Sequence, residues 1–149
     1  MILVIGGAGY IGSHLVKELV KIKEVVVLDN LSTGHRWAID EHAIFIEGNL
    51  GNEADLERVF TNYQIDAVMH FAANSLVGES VIDPLKYYQN NVAATLVLLQ
   101  TMMKHKVKKF IFSSTAATYG IPTVDIITEE VVTNPINPYG RSKLMIEHI

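Results

Sequence analysis

The 149-residue chain contains no cysteine. Disulfides, thiolate metal sites and cysteine nucleophiles are thereby excluded, and a reducing, cytoplasmic setting is the natural expectation. Charge is sparse: 12 Lys and Arg against 16 Asp and Glu leave a net charge of −4, which argues against nucleic acid or an anionic membrane as the main partner. No apolar run approaches the roughly 20 residues of a membrane span, and no repeat, low-complexity tract or linker is evident. The apolar residues at the start are few, follow no basic leader and run straight into glycines, so they read as a strand rather than a signal peptide. No His/Asp/Glu cluster has metal-site spacing, and no metal is expected. What remains is a 49% hydrophobic chain, one domain's worth, with enough apolar residues for a two-sided core.

The most informative stretch opens the chain. The run Ile2 to Ile5 meets Gly6, Gly9 and Gly12, and a helical pattern follows at once. A buried strand that turns through glycines into a helix carries backbone N–H groups to a diphosphate, at the positive end of the helix dipole. Gly6 permits the tight turn, Gly9 admits the pyrophosphate and Gly12 lets the helix lie close to the sheet. Asp29 ends the next apolar run about twenty residues on, where a carboxylate can take a ribose 2′-hydroxyl. Glycines alone would fit an ordinary βα turn; together with Asp29 they read as a dinucleotide fingerprint.

Strand-like runs occupy Ile2–Ile5, Glu24–Leu28, Ala43–Glu47, Ala67–Phe71 and Lys109–Ser113. Most are near-continuous and β-branched, as in a parallel sheet covered on both faces. Between them, apolar residues recur at helical spacing: Ile11, Leu15 and Leu19; Leu56 and Phe60; Val92, Leu96, Leu99 and Met103. A long helix is predicted from Pro84 to Lys104 with Asp83 as its N-cap, and a last helix from near Pro138. The stretch Gly120 to Pro138 is too long for a simple connector and reads as an active-site loop. The pattern predicts an α/β fold: a doubly wound parallel sheet of Rossmann type, with ligand across the carboxyl ends of the strands.

Chemistry is expected past the fifth strand. Tyr139 and Lys143 are four apart and share a helix face. The unperturbed tyrosine pKa of about 10 makes it a poor base, but a neighbouring ammonium or an oxidised nicotinamide stabilises the phenolate. Tyr139 then becomes a proton acceptor for a substrate hydroxyl while a cofactor takes the hydride. Such a pair alone fits a helix-start tyrosine with a solvated lysine; after a dinucleotide fingerprint the catalytic reading prevails. Ser113, Ser114 and Thr115 end the fifth strand, where their hydroxyls can bond a substrate oxygen or cap a local turn. His14 and His70 read as packed or hydrogen-bonded histidines. Lys104, Lys106, Lys108 and Lys109 close a helix and enter a strand, and contact with the helix C-terminus accounts for them.

The segments Gly6-Gly7-Ala8-Gly9-Tyr10-Ile11-Gly12, Asp29 to Gly34, His70 to Ala73, Val77-Gly78-Glu79-Ser80, Tyr88 to Val92, Ser113 to Gly120 and Asn137 to Lys143 together resemble the UDP-glucose 4-epimerases of the extended short-chain dehydrogenase/reductase superfamily. The resemblance runs the length of the chain. Related sugar-nucleotide 4,6-dehydratases carry an Asp-Glu pair where this chain has Ala116 and Ala117. The resemblance implies bound NAD, a UDP-sugar substrate and a homodimer for the full-length protein. It implies that Tyr10 and Ile11 line the pyrophosphate turn, with Gly6, Gly9 and Gly12. It sets Asp29, Asn30, Leu31, Ser32, Thr33 and Gly34 around the adenosine ribose and Asn49 and Leu50 at the adenine. Phe71, Ala72, Ala73, Asn74, Ser75 and Asn90 would hold the centre of the cofactor. Thr115 would assist at the sugar 4-hydroxyl, Tyr139 would be the base, and Lys143 would hold the nicotinamide ribose and lower the Tyr139 pKa.

Two positions depart from the family pattern: Asn49 stands where many relatives have Asp, and Ser75 where many have Lys. Neither removes a catalytic group. The resemblance also implies that residues 1–149 are an incomplete Rossmann-type NAD-binding domain, with the later strands and the substrate lobe beyond Ile149, and that this half is inactive by itself. A UDP-N-acetylhexosamine 4-epimerase or a non-catalytic NAD-binding module are the alternative readings. Because Asp29 would meet a 2′-phosphate and no arginine directly follows it, NAD is expected to bind more tightly than NADP. Titration of the purified chain with both dinucleotides checks this; tighter NADP binding would overturn the assignment.

Overall fold

Runs of β-branched residues bounded by turns form five short strands: β1 (Ile2–Ile5), β2 (Val25–Asp29), β3 (Ile44–Glu47), β4 (Ala67–His70) and β5 (Lys109–Phe112). Each lies within a residue of its sequence reading. All pair in parallel, in the order β3-β2-β1-β4-β5. The order reverses between β1 and β4, and such a switch point opens a crevice at the carboxyl ends of the strands. The structure, a computed structural model, describes residues 1–149. It contains two compact units, Met1–Ala72 with Ala94–Ser113 and Ala73–Ala93 with Ser114–Ile149.

The first unit holds the whole sheet and the helices α1 (Tyr10–Leu19), α2 (Glu53–Asn62) and a later helix, Ala94–Lys104. One core joins Leu3, Ile5, Val26, Leu28 and Val68 of the sheet to Leu56, Val59 and Phe60 of α2 and to Leu98 and Met102 of the later helix. The opposite face of the sheet, through Val4, Val25 and Val27, packs on Val16 and Leu19 of α1 and on Ile39. The central strands β1 and β2 are covered on both sides, as near-continuous apolar sequence requires. The edge strands are not: Ile44 of β3 and Ile111 of β5 remain partly exposed.

The second unit contains α3 (Val77–Ile82), α4 (Pro84–Tyr87), a π-helical segment (Tyr88–Ala93), a 3₁₀ turn (Ala116–Tyr119) and the last helix, Pro138–Glu147. We designate Ala94–Lys104 α5 and Pro138–Glu147 α6. Asp83 caps α4, its carboxylate accepting from Lys86 N–H at 3.2 Å with Pro84 in the first turn. The single long helix predicted for Pro84–Lys104 is thus a succession of α, π and α turns. No helix is long and apolar enough to cross a membrane.

Two predicted faces need correction. In α1 the buried residues are Gly12, Val16 and Leu19, whereas Ile11 is exposed and Leu15 half-buried. At Gly12 a Cβ would collide with the Gly6 carbonyl oxygen, so the first turn of the helix meets the glycine turn through bare backbone. In α5 the buried residues are Ala94, Thr95, Leu98, Thr101 and Met102, leaving Leu96 partly exposed and Met103 largely so. Thr95 and Thr101 belong to the buried face because their hydroxyls are satisfied, with His70 Nε2 at 2.9 Å and the Val97 carbonyl at 2.9 Å respectively. Apolar periodicity alone does not mark them.

Leu98 is fully buried in the core beneath β4 and α2. Leu98→Ala is expected to lower the unfolding free energy by about 2–5 kcal/mol, and Leu96→Ala by less than about 1 kcal/mol. Urea denaturation of both variants checks the ranking; a reversal would restore the face read from sequence.

Candidate functional site

In the first unit the crevice at the switch point is built by turns that follow three strands. Gly6 leaves β1 with φ of 80°, a conformation that disfavours any residue with a Cβ. A Cβ there would also lie 2.5 Å from the Ala72 nitrogen, so the turn after β1 and the segment after β4 touch through bare backbone. The helix α1 begins at Gly9 with no side-chain cap. Its first-turn N–H groups therefore have no side-chain acceptor, the geometry of a helix terminus that can take an anion.

Asp29 closes this cradle. It is 9% exposed, and its two carboxylate oxygens accept from Ala8 N–H at 2.9 Å and Leu31 N–H at 2.8 Å. Leu31 has φ of 56°, a left-handed turn that the Asp29 carboxylate stabilises locally. Asn30 Oδ1 accepts from Ser32 N–H at 3.0 Å, while Gly34 is buried against Ala8. Beyond β3, Asn49 Oδ1 accepts from Gly51 N–H at 2.8 Å and Leu50 is buried. Outside the glycine turn an open groove of about 500 Å³ runs between Gly9, Tyr10, Ser13, His14 and Lys17 on one side and Thr33, His35 and Trp37 on the other.

In the second unit α6 carries Tyr139 and Lys143. Asn137 caps the helix, its Oδ1 accepting from Gly140 N–H at 2.8 Å, and Pro138 occupies the first turn. Gly140 is buried where a Cβ would stand 2.5 Å from the Ala117 carbonyl oxygen, so α6 can seat directly on the 3₁₀ turn that follows Thr115. Thr115 starts that turn: its Oγ1 accepts from Ala117 N–H at 3.2 Å, which leaves the hydroxyl proton to be donated elsewhere. Ser114 donates its hydroxyl to the Glu147 carboxylate, one turn beyond Lys143.

Lys143 is only 3% exposed. Burial pushes its ammonium down to about 8, and Glu147 on the next turn opposes the shift. The half-buried Tyr139 ring meets Tyr87 edge-on, with centroids 6.3 Å apart at 78°. Between these two residues, Ser142 donates to the Tyr139 carbonyl at 2.7 Å and accepts from Asn91 Nδ2 at 3.1 Å. Asn91 is 2% exposed and also grips Asn74, accepting from its N–H at 2.9 Å and donating to its carbonyl at 3.0 Å. Its Oδ1 accepts a further bond from Asn90 Nδ2 at 2.9 Å.

The first unit thus offers a glycine turn at the switch point of a parallel sheet, and the second a Tyr–Lys pair on one helix. The family model for the NAD dependent epimerase/dehydratase family matches residues 2–149. The chain belongs to that family. It is 56% identical over 149 residues to the UDP-glucose 4-epimerase of Lactobacillus helveticus, covering 99% of this chain and 45% of the relative. A crystal structure of a UDP-glucose 4-epimerase superposes with a TM-score of 0.97 at 61% identity, over 99% of this chain and 45% of that one. The Brucella ovis UDP-glucose 4-epimerase, solved in complex with NAD, gives 0.95 at 49% identity, over the same shares. The chain therefore spans less than half the length of the relatives it matches.

In this epimerase/dehydratase family member the residues singled out from sequence fall into two groups. The first unit gathers Gly6, Gly9, Tyr10, Ile11, Gly12, Asp29 to Gly34, Asn49, Leu50, Phe71 and Ala72; the second holds Ala73, Asn74, Ser75, Asn90, Thr115, Tyr139 and Lys143. Sequence reasoning missed Asn91, Ser142 and Tyr87. The available signal was a polar residue on an otherwise apolar face: Asn91 interrupts the helical pattern where a side chain can remain buried only if every polar atom is bonded. The helix α3 was also missed, since its exposed Val77, Val81 and Ile82 give no clear apolar stripe.

The buried lysine and tyrosine make stability depend on pH in opposite senses. Unfolded Lys143 keeps its proton to about 10.4, whereas the folded chain releases it near 8, so the unfolded state binds more protons between these values and stability rises with pH. Tyr87 is pushed up to about 12, first by burial and then by Glu79. Its unfolded phenol ionises near 10, and stability is lost as pH rises from there through the folded value. The unfolding free energy is expected to climb between about pH 8 and about pH 9.5, and Lys143→Met to flatten that climb. Denaturant titrations of both proteins at several pH values measure it; equal slopes would contradict the assignment.

Proposed function

We propose that residues 1–149 are the cofactor-binding half of a UDP-glucose 4-epimerase that works with tightly held NAD. The observation that carries this reading is the α6 pair: a half-buried Tyr139 followed one helical turn later by a Lys143 almost wholly out of solvent. A lysine is rarely buried for structural convenience, because desolvating its charge is costly. The uncapped start of α1 and the glycine turn fit a dinucleotide diphosphate, and Asp29 retains acceptor capacity for a ribose hydroxyl beside the two backbone bonds it already makes. Asn49, Leu50, Phe71, Ala72, Ala73, Asn74, Ser75 and Asn90 are assigned to the same cofactor.

When bound, NAD supplies the acceptor for the hydride of the sugar C4 and its return to the opposite face. The chain's own residues handle protons and position. Tyr139 takes the proton of the 4-hydroxyl and later restores it, with Thr115 donating to the same oxygen. Lys143 holds the nicotinamide ribose, and its positive charge favours the Tyr139 phenolate. Burial lowers the Lys143 ammonium to about 8 and Glu147 opposes the shift, so the charge that would favour the phenolate is held near neutral pH. The substrate is proposed to be a UDP-hexose, and the full-length protein a cytoplasmic homodimer; the exposed Met103 on α5 is an apolar position available to such an interface.

The test is turnover of UDP-galactose by a complete enzyme built on this sequence. Tyr139→Phe keeps the ring and removes the ionisable oxygen, so folding and NAD content should persist while turnover falls by about two to four orders of magnitude. Thr115→Val should be milder, because the base survives. Near-normal turnover in Tyr139→Phe would assign the proton to another group and end this reading.

A further inference from the structure

Tyr87 is the largest fully buried side chain, and no step proposed above uses it. Its hydroxyl is bonded three times within the second unit. It accepts from Leu76 N–H at 3.0 Å, and it lies 2.7 Å from both the Leu76 carbonyl and the Glu79 carboxylate, between which its one proton is shared. Glu79 is fixed in turn by Lys86 Nζ at 2.5 Å. Lys86 belongs to the same short helix as Tyr87, so phenol, carboxylate and ammonium close a ring of contacts between α3 and α4.

The other end of this anchored side chain is aromatic. The Tyr87 ring meets the Tyr139 ring edge-to-face, centroids 6.3 Å apart and planes at 78°. That geometry is attractive beyond area burial, and it is lost if either ring turns. A phenol whose oxygen is pinned at one end cannot swing, and a ring resting on it is held in one orientation. Tyr87 also keeps its proton to about 12, so it presents a neutral surface to a Tyr139 phenolate.

We propose that Tyr87, locked by Leu76 and Glu79, is a positioning residue that fixes the ring of Tyr139 in its reactive orientation. The inference rests on Tyr139 being the base. It differs from a purely structural role because the loss should appear in proton transfer and leave substrate affinity alone: a base displaced by a fraction of an ångström binds sugar nucleotide as before but transfers protons poorly.

The experiment uses a complete enzyme built on this sequence, with UDP-galactose as substrate and Tyr139→Phe as the reference for the underlying reading. Tyr87→Phe retains a ring edge but frees it from Leu76 and Glu79. The expected result is a turnover number lower by about tenfold, a KM within about twofold of wild type, and an acid limb of the pH–turnover profile moved to higher pH as Tyr139 loses its fixed relation to Lys143. Glu79→Gln, which keeps an acceptor but removes the charge and the tight Lys86 contact, should show the same pattern more weakly. Unchanged turnover and pH profile in Tyr87→Phe would overturn the proposal, as would a loss expressed in KM or in NAD content. If Tyr139→Phe itself remained active, the failure would lie with the base assignment rather than with Tyr87.

Discussion

One carboxylate holds the glycine turn in shape. Asp29 sits at the end of β2, nearly out of solvent, and each of its oxygens takes a backbone N–H, one from the turn after β1 and one from its own loop. Without that clasp, the N–H of Ala8 would be buried unsatisfied and the left-handed Leu31 would lose its local support. The glycine turn, the uncapped start of α1 and the loop to Gly34 are arranged around this one residue. The acid proposed to meet a ribose is thus first of all the fastening of the loops around it.

The second unit follows the same logic with neutral groups. Asn91, on a π-helical turn, satisfies the backbone of Asn74 on one side and Ser142 on the other, and Ser142 passes the constraint to the Tyr139 carbonyl. Buried amides are costly unless fully bonded, and when fully bonded they permit only one arrangement. The helix that bears Tyr139 and Lys143 is therefore fixed by a hydrogen-bond network at its back and by close backbone contact at Gly140. Apolar packing contributes little along this helix, where the residues buried are Gly140, Ser142, Lys143 and Ile146.

Strands were legible because a parallel sheet covered on both faces writes itself as β-branched runs, and β1 and β2 are such strands. The Asp83 cap was legible as well, a short polar side chain before proline; Asn137 caps α6 in the same way but was not read as a cap. Helix faces were less so. Gly12 and the threonines of α5 occupy buried positions that hydrophobicity assigns to larger or more apolar neighbours, because close approach and satisfied hydroxyls do not register as periodicity. The Tyr139–Lys143 spacing could be read from the sequence, and so could the glycines. Tyr87 and Asn91 could not, since their roles depend on partners as far as fifty-two residues away.

The π turn at Tyr88–Ala93 has a consequence for how this segment tolerates change. A π turn contains one residue more than the α-helix it interrupts. Deleting a single residue there would give a more regular helix with better backbone hydrogen bonds, yet it would rotate everything on one side of the deletion by about 100° relative to the other. Asn91 would then turn away from either Asn74 or Ser142. Length at this point is thus more tightly constrained than identity: many substitutions would leave the register intact, whereas the smallest insertion or deletion would exchange a better helix for a disconnected network.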